Sequence, residues 1–209
     1  MNLLLCVATE FEATALRKQL PQSQNLRLIQ TGVGPVNAAH AVTVAIMERR
    51  PDSILCCGVG GAYPSSRLQI GDVVCADIEI YGDLGAQSPS GFLDMRTLGF
   101  AVVNNREPLF NELPMQVFPT ARRVRFVTVS TCTGTDNVAN EIENRTRGAV
   151  ENMEGAAIAH VAHLHNIPVG EVRGISNIVT NRDKTSWRLE EASDAAQKSL
   201  IDWIRSLRP

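Results

Sequence analysis

Unbroken apolar runs alternate with segments of helical period from the first residues of the chain. LLLCVA at 3–8 is apolar throughout, as in a strand covered on both faces. TEFEATALRKQL then takes a helical spacing, with Thr9 as N-cap, Glu12 three residues on and Pro21 as the stop. LRLIQTG predicts a short strand, leading through Gly32 and Gly34 into a helix from Pro35 to Arg49. SILCCG at 53–58 is a second buried strand, closed by a glycine turn in GVGGAYP. IGDVVCADIEIY at 70–81 and VRFVTVST at 124–131 are two more. A helix near 137–147, AVENM, the helix EGAAIAHVAHLHN and the strand VGEVRGIS come next. The last helix carries Ala195, Leu200, Trp203, Ile204 and Leu207. The stretch 82–120, rich in Gly, Pro, Ser and Asn, reads as loop with one short helix or strand, in a position to cover a pocket.

This alternation predicts one domain over 1–209, an α/β fold of three layers, α/β/α, around a central mixed, mostly parallel sheet. Ligands of such folds bind at the carboxyl ends of the strands. The segments Thr9–Glu12, Gly58–Gly61, Thr131–Asp136, Asn152–Glu154 and Ser176–Asn177 end these strands and are expected to face one crevice.

Composition narrows the partners. Twenty basic against 22 acidic residues leave a net charge of -2, and the densest basic cluster, ARRVR at 121–125, is too short for a nucleic-acid stripe. The N-terminal MNLLLCVATEFEA lacks the basic start and long apolar stretch of a signal peptide, and no run approaches a membrane span. The expectation is a cytoplasmic protein with neither nucleic acid nor membrane as partner. Five cysteines without CxxC spacing read as reduced core residues.

The candidate chemistry is weak residue by residue. GVGGAY lacks the dinucleotide spacing, and no phosphate-loop motif occurs, so no cofactor is expected; the glycines suit either a turn passing close beneath a ligand or a purely structural turn. His160, His163 and His165 lie on a helix pattern without a carboxylate at a metal-site spacing, so no metal is expected. Glu12 alone is a first-turn acid, and Asn177 alone a turn former. Glu151 and Glu154 stand three residues apart in an apolar setting, where a carboxylate requires partners.

In combination, ATEFEA, TGVGPVNAA, GVGGAYP…IGDVV, VENMEGAAIAHVAHLHNIPV and VRGISNIVTNRD resemble the nucleoside phosphorylase and nucleosidase superfamily over nearly the whole chain. They are similar to its methylthioadenosine/adenosylhomocysteine nucleosidase branch, and within that neighbourhood to the futalosine hydrolases. The resemblance implies hydrolysis of the N-glycosidic bond of futalosine, releasing hypoxanthine and dehypoxanthine futalosine, in an alternative menaquinone pathway. It implies that Glu12 is the general base activating water and that Glu154 binds the ribose 2′- and 3′-hydroxyls. Met153 would pack on the sugar, and Asn152, Val59 and Gly60 would be further substrate-binding residues. Asn177, oriented by Ser176, would receive the departing base, and Trp187 would cap the 5′ substituent. An Asn there, where the adenine-specific branch has Asp, can donate to a 6-oxo group and accept from N7–H, which suits hypoxanthine. Glu151 is expected to be a structural ion pair or a surface acid. Glu10 and Glu12 in the first βα turn would repel phosphate, so water is the expected nucleophile. A homodimer or larger homo-oligomer is implied by the resemblance alone. Methylthioadenosine/adenosylhomocysteine nucleosidase, purine nucleoside phosphorylase and a non-catalytic nucleoside-binding module stay open as alternatives.

Overall fold

The computed structural model describes residues 1–20, 23–120 and 122–207. Pro21, expected to stop the first helix, and Ala121, the first residue of the basic cluster, lie outside the described residues.

Strand β1 (Leu3–Val7) shows why its apolar run is unbroken. Leu4 and Cys6 enter one hydrophobic cluster, while Leu3, Leu5 and Val7 enter another. Strand β3 (Ser53–Ala62) divides its side chains the same way, Ile54 and Cys56 to the first cluster, Leu55 and Cys57 to the second. Helices therefore cover both faces. Helices α2 (Pro35–Glu48) and α5 (Gly155–Leu164) pack together on the first cluster through Ala38, Val42, Ile46, Ala157, Ile158 and Val161. Helices α1 (Thr14–Gln19) and α6 (Leu189–Ser206) close the second through Leu16, Ala196, Leu200 and Ile201. The buried stripe of α6 is rotated from the expected one: Ala195 and Trp203 are half-buried and Leu207 is exposed, while Ser193 and Gln197 are buried. Gln197 has a reason to be inside, since its Oε1 accepts from the backbone N–H groups of Ala15 (2.7 Å) and Leu16 (3.2 Å) at the start of α1.

The sheet is mixed, but it is not an open one. Strands β2 (Leu26–Gln30), β1 and β3 run parallel at one side. Beyond them β3 pairs with both β9 (Val150–Asn152) and β10 (Val169–Ile178). Strand β4 (Val73–Tyr81) pairs with β10 and with β8 (Arg123–Thr128), and β8 pairs with β9. The pairings β3–β10–β4–β8–β9–β3 close a ring, which removes edges at that end of the sheet.

Region 82–120 carries more order than expected. It holds a hairpin of β5 (Gly85–Ser88) and β6 (Gly91–Asp94), the one-turn helix α3 (Met95–Leu98), and β7 (Glu112–Pro114), which pairs with β4. Helix α4 (Asp136–Thr146) is capped by Thr135, whose hydroxyl accepts from Val138 N–H.

Two local expectations need correction. The segment from Thr9 is a 3-10 turn over Glu10–Ala13 followed by α1, rather than one helix. The glycine-rich GVGGA is no turn: it is the second half of β3, and its glycines make room. A Cβ on Gly58 would strike the Glu12 carboxylate and sit 2.6 Å from Arg173 Nη1, and one on Gly60 would sit 2.6 Å from Val150 Cγ1.

Candidate active site

The ends of β1, β3, β9 and β10 meet around a cavity of about 280 Å³. Glu12, Val59, Gly60, Asn152, Met153 and Glu154 line it, as do Ser176, Asn177 and Trp187. All nine residues expected from the sequence are thus brought together, from positions up to 175 apart (187 − 12). Thr131 and Asp136 are not among the lining residues, and Asp136 bonds Asn181 at the surface. No residue of 82–120 lines the cavity among the described residues, so that region does not cover it within one chain.

Glu12 is 4% exposed and held at three points. Its Oε2 accepts from Thr9 N–H (3.0 Å) and Thr9 Oγ1–H (2.9 Å), the capping-box arrangement that the Thr9–Glu12 spacing predicts. Its Oε1 accepts from Val59 N–H at 3.0 Å. The neighbouring Glu10 turns outward to Arg17 (2.8 Å), so only Glu12 of that turn carries charge at the cavity.

Glu154, also 4% exposed, begins α5. Its Oε2 accepts from Arg173 Nη2 (3.1 Å) and its Oε1 from Gly34 N–H (3.1 Å), at the N-terminus of α2, where Gly34 has φ 95°. The protein therefore supplies partners for this buried carboxylate, where the sequence suggested the ligand had to. A carboxylate has about four acceptor directions, so each oxygen keeps one for a ligand hydroxyl.

Arg173 organises this floor. Its guanidinium donates to Glu171 Oε1 (2.6 Å), Val59 O (3.0 Å) and Glu154. Burial alone would lower its pKa; Glu171, Glu154 and Glu12 around it raise the pKa instead and keep it charged. Neither Arg173 nor Gly34 was expected as a site residue, although both stand in stretches that carry the family resemblance. The signal for Arg173 was available, a charged residue inside the buried run VGEVRGIS.

Asn152 lines the cavity, but its side chain is committed to the fold. Its Oδ1 accepts from Glu154 N–H (2.9 Å) and Gly155 N–H (2.8 Å), capping α5, and its Nδ2 donates to Glu79. Met153 sits with its sulfur 3.1 Å from Cys132 Sγ. Glu151 is neither surface acid nor ion pair: it is 7% exposed and accepts from Tyr63 Oη–H (2.8 Å), Thr133 N–H (2.9 Å) and Thr133 Oγ1–H (2.6 Å).

A β-bulge aims the opposite wall. Along β10, Ile175 faces Gly60 of β3 and Asn177 faces Gly61, leaving Ser176 as the extra residue. The bulge lets consecutive side chains, Ser176 and Asn177, both reach the cavity. Ser176 Oγ–H donates to Asn177 Oδ1 at 2.8 Å, and Asn177 Nδ2–H donates to Ile178 O at 3.2 Å. Trp187 ends a 3-10 turn (Lys184–Ser186) just ahead of α6, with the Arg182 guanidinium 5.3 Å from its ring centroid. Both residues line the cavity, beside apolar Phe11, Val33 and Leu189. The helix histidines are engaged elsewhere: His160 bonds Tyr81 Oη and Val102 O, and His163 bonds Pro114 O.

Residues 14–206 match the family described as the phosphorylase superfamily. The chain belongs to the phosphorylase superfamily. Among curated members of the superfamily, a futalosine hydrolase of Streptomyces coelicolor is 33% identical, with 100% of this chain and 96% of that protein covered. A futalosine hydrolase of Acidothermus cellulolyticus is 35% identical over 90% of this chain and 84% of its own length. In fold, the chain resembles the MTA/SAH nucleosidase of Streptococcus pneumoniae, crystallised with 8-aminoadenine, with a TM-score of 0.83 at 20% identity, covering 98% of this chain and 99% of that one.

Proposed function

We propose that the protein is an N-glycosyl hydrolase that cleaves futalosine to hypoxanthine and dehypoxanthine futalosine, a reaction of menaquinone biosynthesis. One observation carries the reading: two buried carboxylates, Glu12 and Glu154, and the Asn177 carboxamide converge on one cavity with an indole at its side. Both futalosine hydrolase relatives agree with it.

In this reading Glu12 takes a proton from water as the water attacks the anomeric carbon, a step of the kind that contributes about 10²–10⁴-fold. Its bonds to Thr9 and Val59 orient the carboxylate toward the nucleophile. Glu154 accepts from the ribose diol, and those bonds strengthen as positive charge grows on the sugar. Met153 packs against the sugar face. Asn177, held by Ser176, turns its carboxamide to the base. As the glycosidic bond breaks, its electron pair goes to the purine and N7 takes a proton from solvent water, while the proton on Glu12 returns to solvent. An NH₂ donating to O6 and an oxygen accepting from N7–H then match hypoxanthine leaving as the neutral base. Trp187 stacks on a flat 5′ group, and Arg182 beside it offers a guanidinium to that group's carboxylate. Water rather than phosphate is the nucleophile, because the guanidinium at the cavity floor, Arg173, is already engaged by Glu154 and Glu171.

The test is product analysis over futalosine, methylthioadenosine, adenosylhomocysteine and inosine, with and without phosphate. Hypoxanthine release from futalosine at a phosphate-independent rate is expected. Preferential adenine release would replace futalosine as substrate, and ribose-1-phosphate formation would replace hydrolysis.

A further inference from the structure

Behind the cavity floor, two glutamates lie outside the mechanism above. Glu79 on β4 and Glu171 on β10 are 0% exposed and do not line the cavity. Glu171 Oε1 accepts from Arg173 Nε, while no N–H or O–H donor reaches its Oε2. Glu79 Oε2 accepts from Thr128 Oγ1–H (2.9 Å) and Ile80 N–H (3.1 Å), and its Oε1 from Asn152 Nδ2–H. A Cβ on Gly155 would collide with both Glu171 Oε2 and Glu79 Oε1, so the two oxygens converge on one point. A hydrogen bond between carboxyl groups requires a proton on one of them. Two bare carboxylates in contact in a dry interior would be costly.

The pair reaches Glu154 by two routes. Glu171 fixes the Arg173 guanidinium that donates to the Glu154 carboxylate. Glu79 fixes Asn152, whose Oδ1 accepts from the Glu154 and Gly155 N–H groups. We propose that Glu79 and Glu171 hold one proton between them and that this shared proton is a positioning device for Glu154, keeping its carboxylate aimed at the ribose diol. The second half rests on the reading of Glu154 as the diol-binding residue.

The charged and titratable groups around the pair come from several elements. Arg173 lies on the same strand as Glu171, with Glu154 beyond it, and Cys56 of β3 lies against Arg173. Tyr81 is on the strand of Glu79. β8, β9 and α5 bring the uncharged Thr128, Asn152 and Gly155. Burial, and then the neighbouring Glu171, raise the Glu79 pKa well above the carboxyl range, in line with a retained proton.

Glu171→Gln imitates the form of the pair in which the shared proton sits on residue 171. Its carbonyl accepts from Arg173 Nε, its NH₂ donates to Glu79 Oε1, and one negative charge remains on Glu79. Glu171→Leu removes both bonds. Infrared difference spectra at neutral pH should show a buried protonated-carboxyl stretch, shifted in D₂O, in the wild type and not in Glu171→Gln. For nucleoside cleavage, the wild-type KM should climb on the alkaline side while kcat changes little. Glu171→Gln should keep the neutral-pH KM within about threefold and lose the alkaline climb, and Glu171→Leu should raise KM at least tenfold at every pH. Absence of the infrared band overturns the shared proton, whatever the substrate. A band accompanied by identical pH profiles in wild type and Glu171→Gln overturns the positioning role. Failure of the functional reading shows differently, as an intact band in a protein that cleaves none of the nucleosides.

Discussion

Three donors from Thr9 and Val59 converge on the Glu12 carboxylate, and they set which lone pairs face the cavity. Glu12→Gln keeps the size of the side chain and removes its basicity. The expected outcome is a fall in kcat of about 10²–10⁴-fold, with hypoxanthine binding retained; calorimetry beside steady-state kinetics measures both. A non-catalytic binding module would lose nothing on this substitution. Under the proposed function, Asn177 chooses the base. Asn177→Asp exchanges a donor for an acceptor beside the base and should shift the hypoxanthine-to-adenine ratio of kcat/KM toward adenine nucleosides. An unchanged ratio would remove this account of base choice. At this scale the sequence was most legible where a residue carries a local pattern: Thr9 and Glu12 show the capping-box spacing, and the structure holds Glu12 by that pair. Gly34 and Arg173 carried no such pattern, because their contacts to Glu154 cross 120 and 19 residues.

Among the elements, β3 and β10 decide the shape of the site. The glycines of GVGGA read as a turn because glycine is the commonest turn residue. In the strand they instead leave volume for Glu12, Arg173, Val150 and Val179, which arrive from elsewhere in the chain. Gly58→Ala should therefore displace the Glu12 carboxylate or Arg173, with a loss of at least about tenfold in kcat/KM and about 1–3 kcal/mol of stability from overpacking. Denaturant unfolding and kinetics on the same sample check both. The bulge at Ser176 was likewise hidden, since a bulge depends on the register between β10 and β3 and not on composition. Helix α6 shows the same limit: its period was visible, but the buried stripe includes Gln197 because the start of α1 lies beside it and needs an acceptor.

At the scale of the whole molecule, the closed ring of β3, β10, β4, β8 and β9 buries Glu79 and Glu171 side by side, with a consequence for stability. An unfolded glutamate releases its proton near about pH 4.3, whereas folding raises the Glu79 pKa well above that. The native state therefore binds the extra proton above that pH. Its contribution is fully present below the unfolded pKa and is lost as pH rises toward the folded one. Glu171→Gln removes the neighbouring charge but not the burial that is the larger cause, so it should weaken this dependence, its stability relative to wild type improving by less than about 1.4 kcal/mol per pH unit across that window, measured by urea unfolding at several pH values. The sequence by itself determined the α/β alternation and most strand and helix positions to within a few residues, since these follow from periodicity, caps and the order of segments along the chain, while the site residues came from its resemblance to a known family. The closing of the sheet, the glycine strand, the bulge, and the partners of Glu154, Glu151 and Glu79 were decided only by the tertiary structure. Those features come from contacts between residues distant in the chain, whose burial and pairing no local pattern records.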